Sequence, residues 1–187
     1  MLRKLPREYQ PLRTSRKPGM KQTADMEIEA FANEIQSTIR KSQGLSTADL
    51  RKIRREFSKR LVHASPADVI EIALRLLNPC STITRFFVYE LISHHCSALA
   101  SLNAKTLEQL GDGIGSWADV DMFACFLSGP AWREHQVPDK LIYKWARSND
   151  RWWRRASIVS TVPLNNKARG GTGDAERTLD LSTDLGR

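Results

Sequence analysis

Apolar side chains recur along this chain at steps of three and four. Leu50, Ile53, Phe57 and Leu61 form one such stripe, and Leu141, Ile142 and Trp145 form another. This is the spacing of helices that bury one face. Strand-like alternation does not recur. Helix starts are also marked. Ser46-Thr-Ala-Asp49 and Ser116-Trp-Ala-Asp119 have the S-x-x-D form of a capping box, and Ser65-Pro66-Ala-Asp68 sets an N-cap before a proline at the first helical position. The pattern predicts helices over 26–41, 48–62, 67–77, 83–96, 104–111, 117–128, 139–148 and 151–162.

Taken in pairs, these helices begin near 26, 67, 104 and 139, a spacing of 35–41 residues. That is the period of HEAT-type two-helix repeats. One short amphipathic pair cannot bury its apolar face alone, whereas stacked pairs close a continuous core and leave a curved face for binding. The expected fold is therefore all-α, a HEAT-like superhelix of about four helix pairs, with a compact irregular helical bundle as the alternative. The chain divides into three segments. Residues 1–25 read as a basic disordered arm: over residues 1–22, Arg3, Lys4, Arg7, Arg13, Arg16, Lys17 and Lys21 face one acid, Glu8, among three prolines. Residues 26–164 form the repeat domain. Residues 165–187 open with Gly-rich loop composition and read as a weakly structured tail, with a weak helix over 174–181.

Composition narrows the function. The chain of 187 residues is 41% hydrophobic and 27% charged, ordinary values for a globular domain. No window approaches the roughly 18 consecutive apolar residues of a membrane span, and no apolar signal-peptide core precedes the first helix. Cys80, Cys96 and Cys125 are odd in number and lack a C-x-x-C spacing, which argues against a disulfide framework or a zinc site. His63, His94, His95 and His135 show no ligand spacing, so neither metal nor cofactor is expected. The net charge of +8 points to a polyanionic partner, most often nucleic acid, or to a solvated basic surface. The helix after Ser46 concentrates this charge in Arg51, Lys52, Arg54, Arg55, Lys59 and Arg60, where phosphate contact and simple solvation both fit.

Candidate chemistry lies in residues 116–129, SWADVDMFACFLSG. Asp119 follows Ser116 by three, where its carboxylate completes a capping box and meets the helix dipole. Asp121 has no such local use. It lies four residues after Trp117 and shares its helical face. An unpaired buried carboxylate is costly, so Asp121 needs a cationic partner or a cleft, as a structural ion pair or as a working group. Residues 150–159, DRWWRRASIV, offer that partner. Trp152, Ala156 and Val159 form a stripe, and Arg155 borders it. Second helices of consecutive repeats stack side by side, which would bring Trp117, Asp121, Trp152 and Arg155 onto one surface. Indoles attract cations and stack on bases, and arginine grips phosphate. Core packing is the competing role for Trp145, Trp152 and Trp153.

The segments SWADVD (116–121), SGPAW (128–132), KWARSNDRWWRRASIVSTVPLN (144–165) and FFVYELISHH (86–95) together resemble the AlkD-like DNA alkylation repair proteins over about residues 45–178. The resemblance implies a HEAT-like superhelix with a basic groove for duplex DNA. It implies a monofunctional glycosylase that hydrolyses the N-glycosidic bond of cationic N3- or N7-alkylated purines, of the 3-methyladenine and 7-methylguanine type, without a deep pocket. The family's essential carboxylate matches Asp121, its tryptophan four residues earlier Trp117, and its arginine in the W-x-x-R element Arg155. The family continues for several helices beyond the position of Leu164 and frames the lesion with a later tryptophan. No match for that residue precedes Arg187, so a C-terminally shortened member is expected.

The full expectation is a monomeric, cytoplasmic protein, nucleoid-associated if bacterial, acting on double-stranded DNA with alkylated bases. Asp121 is its catalytic residue, and Trp117, Arg155, Trp152, Arg51, Arg54 and Arg55 contact substrate or DNA. Two other readings keep the same fold: a noncatalytic DNA-structure-binding solenoid, and a protein-binding HEAT scaffold.

Overall fold

The computed structural model describes residues 21–42, 44–78 and 81–185. They form α1 (Lys21–Lys41), α2 (Thr47–Leu61), α3 (Pro66–Leu76), α4 (Thr82–Ser93), α5 (Cys96–Ala100), α6 (Ala104–Gly111), α7 (Trp117–Phe123), α8 (Gly129–Arg133), α9 (Asp139–Ala146), α10 (Arg151–Val159), α11 (Val162–Asn165) and α12 (Ala175–Leu185). No strand occurs among the described residues. The architecture is the all-α helical repeat that the spacing predicts. The second helices of successive pairs stack in order, α2 on α4, α4 on α7 and α7 on α10. Behind them α1 packs on α3, α3 on α6, and α9 on α10.

Capping follows the sequence closely. Ser46, Ser65 and Ser116 each accept the N–H of the aspartate three residues on. At the first two the serine hydroxyl also donates to that carboxylate at 2.7 Å. The adjacent histidines are structural. His94 ends α4, and His95 starts α5 by accepting Ala98 N–H through Nδ1 at 3.2 Å. An accepting Nδ1 puts the proton of the neutral ring on Nε2, which then donates to the Leu61 carbonyl at 3.0 Å. This break divides the helix expected over 83–96.

Both ends of the fold depart from expectation. α1 already includes Lys21, the first described residue, and so extends upstream of the expected start near 26. The rest of the expected arm, residues 1–20, lies outside the described residues, as does Cys80. The expected weak tail is a helix of 11 residues, α12. Asp174 caps it by accepting Arg177 N–H at 3.0 Å. Leu181 is buried, and Arg177 donates to the Trp132 carbonyl at 2.9 Å. One buried leucine in a polar stretch is a weak periodic signal, and its partners on α9 and α10 are visible only in three dimensions.

The helix predicted over 117–128 continues to Arg133 through a π-helical turn, Ala124–Ser128. Pro130 supplies the reason. It has no N–H, and in a regular α-helix its ring would strike the Phe126 carbonyl. The turn widens instead, and Gly129 N–H reaches the Ala124 carbonyl five residues back. Gly129 itself is required by close approach. A Cβ there would lie 2.6 Å from Cγ of Pro163, which rests on this turn from α11. Beside this contact, Ser160 donates to the Ala156 carbonyl at 2.7 Å, which leaves its oxygen to accept from Ser128, also at 2.7 Å.

An aromatic cluster binds these elements together. Phe123 lies with ring centroids 5.8 Å from Tyr89, 5.9 Å from Trp145 and 5.8 Å from Trp153, and the two indoles are 4.8 Å apart. Each contact adds about 0.5–1.5 kcal/mol beyond area burial. The Tyr89 hydroxyl donates to the Leu110 carbonyl at 2.8 Å, and buried Arg85 donates to the Asp112 carbonyl at 2.5 Å. The C-terminal end of α6 is thereby tied to α4. Gly111 closes α6 under the cluster, where a Cβ would stand 2.5 Å from Cη2 of Trp153 and 3.0 Å from Cζ of Phe123. Gly111→Ala should therefore lower stability by about 1–3 kcal/mol through overpacking, although alanine is the better helix former. Chemical denaturation of the two proteins measures this, and a gain in stability would show that Trp153 is free to move.

Candidate functional site

Ser116 starts α7 and places Trp117 at its first position, where the indole stays 65% exposed. Val120, Phe123 and Ala124 bury the opposite side of the segment. Asp119 also turns inward, is 5% exposed, and accepts Gly115 N–H through Oδ2 at 3.3 Å. It serves the turn before the helix, a small shift from the capping-box bond to Ser116. Asp121 emerges one helical turn after Trp117, with its side chain 48% exposed.

α10 supplies the other half. Asp150 caps it by accepting Trp152 N–H at 2.8 Å, and Arg154 turns back to the Ser148 and Asn149 carbonyls. Arg155 crosses to α7. Its Nη2 and Nε donate to Asp121 Oδ1 at 2.7 Å and 3.1 Å, and its guanidinium carbon lies 3.6 Å from the Trp117 ring centroid. One cation thus stacks on the indole and holds the carboxylate. Both bonds end on Oδ1, and Oδ2 receives no hydrogen bond among the described residues. The three residues that spacing placed on one surface do meet there.

Trp152 does not join them as an open ring. It packs partly buried against the hydrophobic core, and Arg151 stacks on it at 4.5 Å. It shares its stripe with Ala156, which is fully buried, so the competing role of core packing holds for this ring. Trp145 is buried and Trp153 packs against the same core.

The basic cluster of α2 divides in the same way. Arg54, expected to contact DNA, is 5% exposed, with Nε 3.5 Å from Oε2 of buried Glu90. At that distance the two share charge without a hydrogen bond, and neither atom has another partner. Burial pulls the Arg54 pKa down, against the pull of Glu90. A guanidinium turned into the core offers no fork to phosphate, so Arg54 leaves the set of surface contacts. Arg51 binds Glu90 Oε1 at 2.7 Å but stays about half-exposed, with its guanidinium 5.4 Å from the Phe86 ring. Arg55 is exposed. Of the three arginines expected to meet DNA, Arg51 and Arg55, one turn apart, are therefore the ones α2 leaves exposed, beside Lys52 and Lys59, which pair with Asp49 and Glu56. Its hydrophobic stripe could not reveal this, because Glu90 comes from another helix.

Two neighbours were not legible as site residues. Cys125 follows Asp121 by one turn and is half-buried. Burial pushes its thiol pKa up, the Asp121 charge adds to this, and Arg169 opposes it. Arg169, from the loop after α11, lies over Phe126 at 5.5 Å. Nothing in a Gly-rich loop marks one arginine above another. Among the described residues no group of three or more His, Cys, Asp or Glu is arranged to hold a metal ion, and no helix is long and apolar enough to cross a membrane.

The thiol reports on this geometry. Thiolate is the reactive form, so Cys125 should react with iodoacetamide more slowly than exposed Cys96. Asp121→Asn removes a charge that raises the thiol pKa, leaves more thiolate at a given pH, and should speed labelling of Cys125 a few-fold without changing Cys96. Mass spectrometry of the two peptides checks this. Equal Cys125 rates in both proteins would place the Asp121 charge away from the thiol.

Comparison with curated proteins and with solved structures finds no match. A family model described as DNA alkylation repair enzyme matches residues 18–186, nearly the whole chain. The match includes the helices that join Trp117, Asp121 and Arg155, and it supports a role in DNA repair. The chain belongs to the DNA alkylation repair enzyme family.

Proposed function

We propose that this protein is a DNA glycosylase that excises cationic N3- or N7-alkylated purines from duplex DNA by hydrolysing the N-glycosidic bond. The observation that carries the reading is the single-oxygen grip of Arg155 on Asp121 beneath an exposed indole. An alkylated purine already bears positive charge, which weakens its glycosidic bond, so its departure needs little protonation. What remains is to stabilise the oxocarbenium-like sugar and to place a water. Asp121 supplies the negative charge for the sugar through Oδ2, and Arg155 orients the carboxylate. Trp117 offers its outer face to a cationic base. Arg51 and Arg55, on the same row of second helices, are placed for backbone phosphates.

An open row of helix faces also suits excision without a deep pocket, since the reacting group is reached from the duplex surface. Release of 7-methylguanine from methylated duplex DNA tests the mechanism. Wild type should release base. Asp121→Asn should lose at least about 100-fold in rate, the scale of one electrostatic stabiliser, while keeping its helical content and most of its duplex affinity. Equal release by both proteins would overturn the role of Asp121. Duplex binding by wild type with no release would favour the noncatalytic DNA-binding reading.

A further inference from the structure

We propose that Arg169 is a phosphate grip, which borders the Asp121 site beyond Cys125 and takes a backbone phosphate of the same duplex; this rests on the DNA reading above. The loop that carries it, residues 166–173, is tightly built. Asn166 accepts Ala168 N–H with its side chain at 2.9 Å and Gly171 N–H with its carbonyl at 3.0 Å. Gly173 N–H returns to the Leu164 carbonyl at 3.1 Å. Arg133 donates through Nη1 to the Arg169 carbonyl at 2.5 Å. Gly170 has φ of +83°, and a Cβ there would meet Arg133 Nη1 at 3.0 Å. At Gly171 a Cβ would lie 2.6 Å from the Pro163 and Leu164 carbonyl oxygens. Two glycines, an Asn turn and an arginine brace thus hold the loop in one shape.

That shape displays cations. Arg169 and Lys167 are both exposed, and neither has a carboxylate partner among the described residues. By contrast Arg60, Arg75, Arg133 and Arg177 each pair with an acid. The Arg169 guanidinium rests over Phe126, on the π-helical turn that continues α7. Cys125, one turn beyond Asp121, lies within reach of both the Asp121 and the Arg169 charge, so the loop arginine borders the stretch that follows the carboxylate. The position of the loop is stabilised by contacts that a solvated tail would not need.

Duplex affinity measured against salt for wild type, Arg169→Ala, Arg169→Lys and a same-charge control on α1, Arg40→Ala, tests this. Loss of one phosphate contact should reduce the slope of log affinity against log salt by about 1. Extrapolated one decade below 1 M salt, that is roughly eight-fold weaker binding at 0.1 M. Arg169→Lys should keep most of the slope, and Arg40→Ala all of it. An unchanged slope in Arg169→Ala, with native helical content by circular dichroism, would overturn the grip and leave the glycosylase reading intact. A slope lost equally in Arg40→Ala would overturn it too, since any surface cation would then do the same. If wild type binds no duplex at any salt, the DNA reading fails, and the grip fails with it.

Discussion

The site depends on how α7 seats against α10, and that seating is decided inside the protein. Phe123, Trp145 and Trp153 interlock over Gly111, where no side chain larger than hydrogen fits. Three aromatic contacts of about 0.5–1.5 kcal/mol each come with large buried areas. They set the distance between the helices, and Arg155 meets Asp121 at 2.7 Å as a result. The reverse order is not credible. An exposed ion pair contributes about 0–1 kcal/mol, and a cation over an exposed ring about 0.5–1. The polar triad is too weak to hold the two helices together and is itself held by them.

That imbalance separates stabilising charges from displayed ones. Glu90 and Arg54 are buried, and removing Glu90 would strand Arg54 at a cost of about 3–5 kcal/mol, whereas Glu90 without Arg54 would keep Arg51. They belong to the joint between α2 and α4. Asp121 and Arg155 remain accessible, and Trp117 more so. An indole left in water where neighbouring tryptophans are packed forgoes burial worth kilocalories. Such exposure is understandable where a partner covers the ring on binding.

Much of the fold was legible because its signals are local. Serine caps, Pro66 and stripes of period 3.6 depend on neighbours within one turn, so helix starts near 47, 66, 104, 117 and 151 can be read from the chain alone. The repeat period then placed α7 beside α10, and with it Trp117, Asp121 and Arg155. What was not legible depends on distant residues. The inward turn of Arg54 needs Glu90, thirty-six positions on. Packing of Trp152 needs the core behind α10, and α12 needs the floor made by α9 and Trp132. A basic residue looks the same in sequence whether its carboxylate is beside it or absent.

The π-helical turn joins these two levels. Its cause is local, a proline at 130 in a helix that must continue. Its effect is on the surface, because an extra residue in one turn rotates the downstream side chains relative to Asp121. Phe126 thereby faces the loop after α11, and Gly129 leaves room for Pro163, from which that loop departs. A regular helix through 124–128 would place Phe126 differently and remove the platform on which Arg169 rests. The same backbone irregularity that accommodates a missing N–H therefore shapes the surface that follows Asp121. Widened turns are frequent at functional sites in proteins, and here the turn has a specific physical reason at each end.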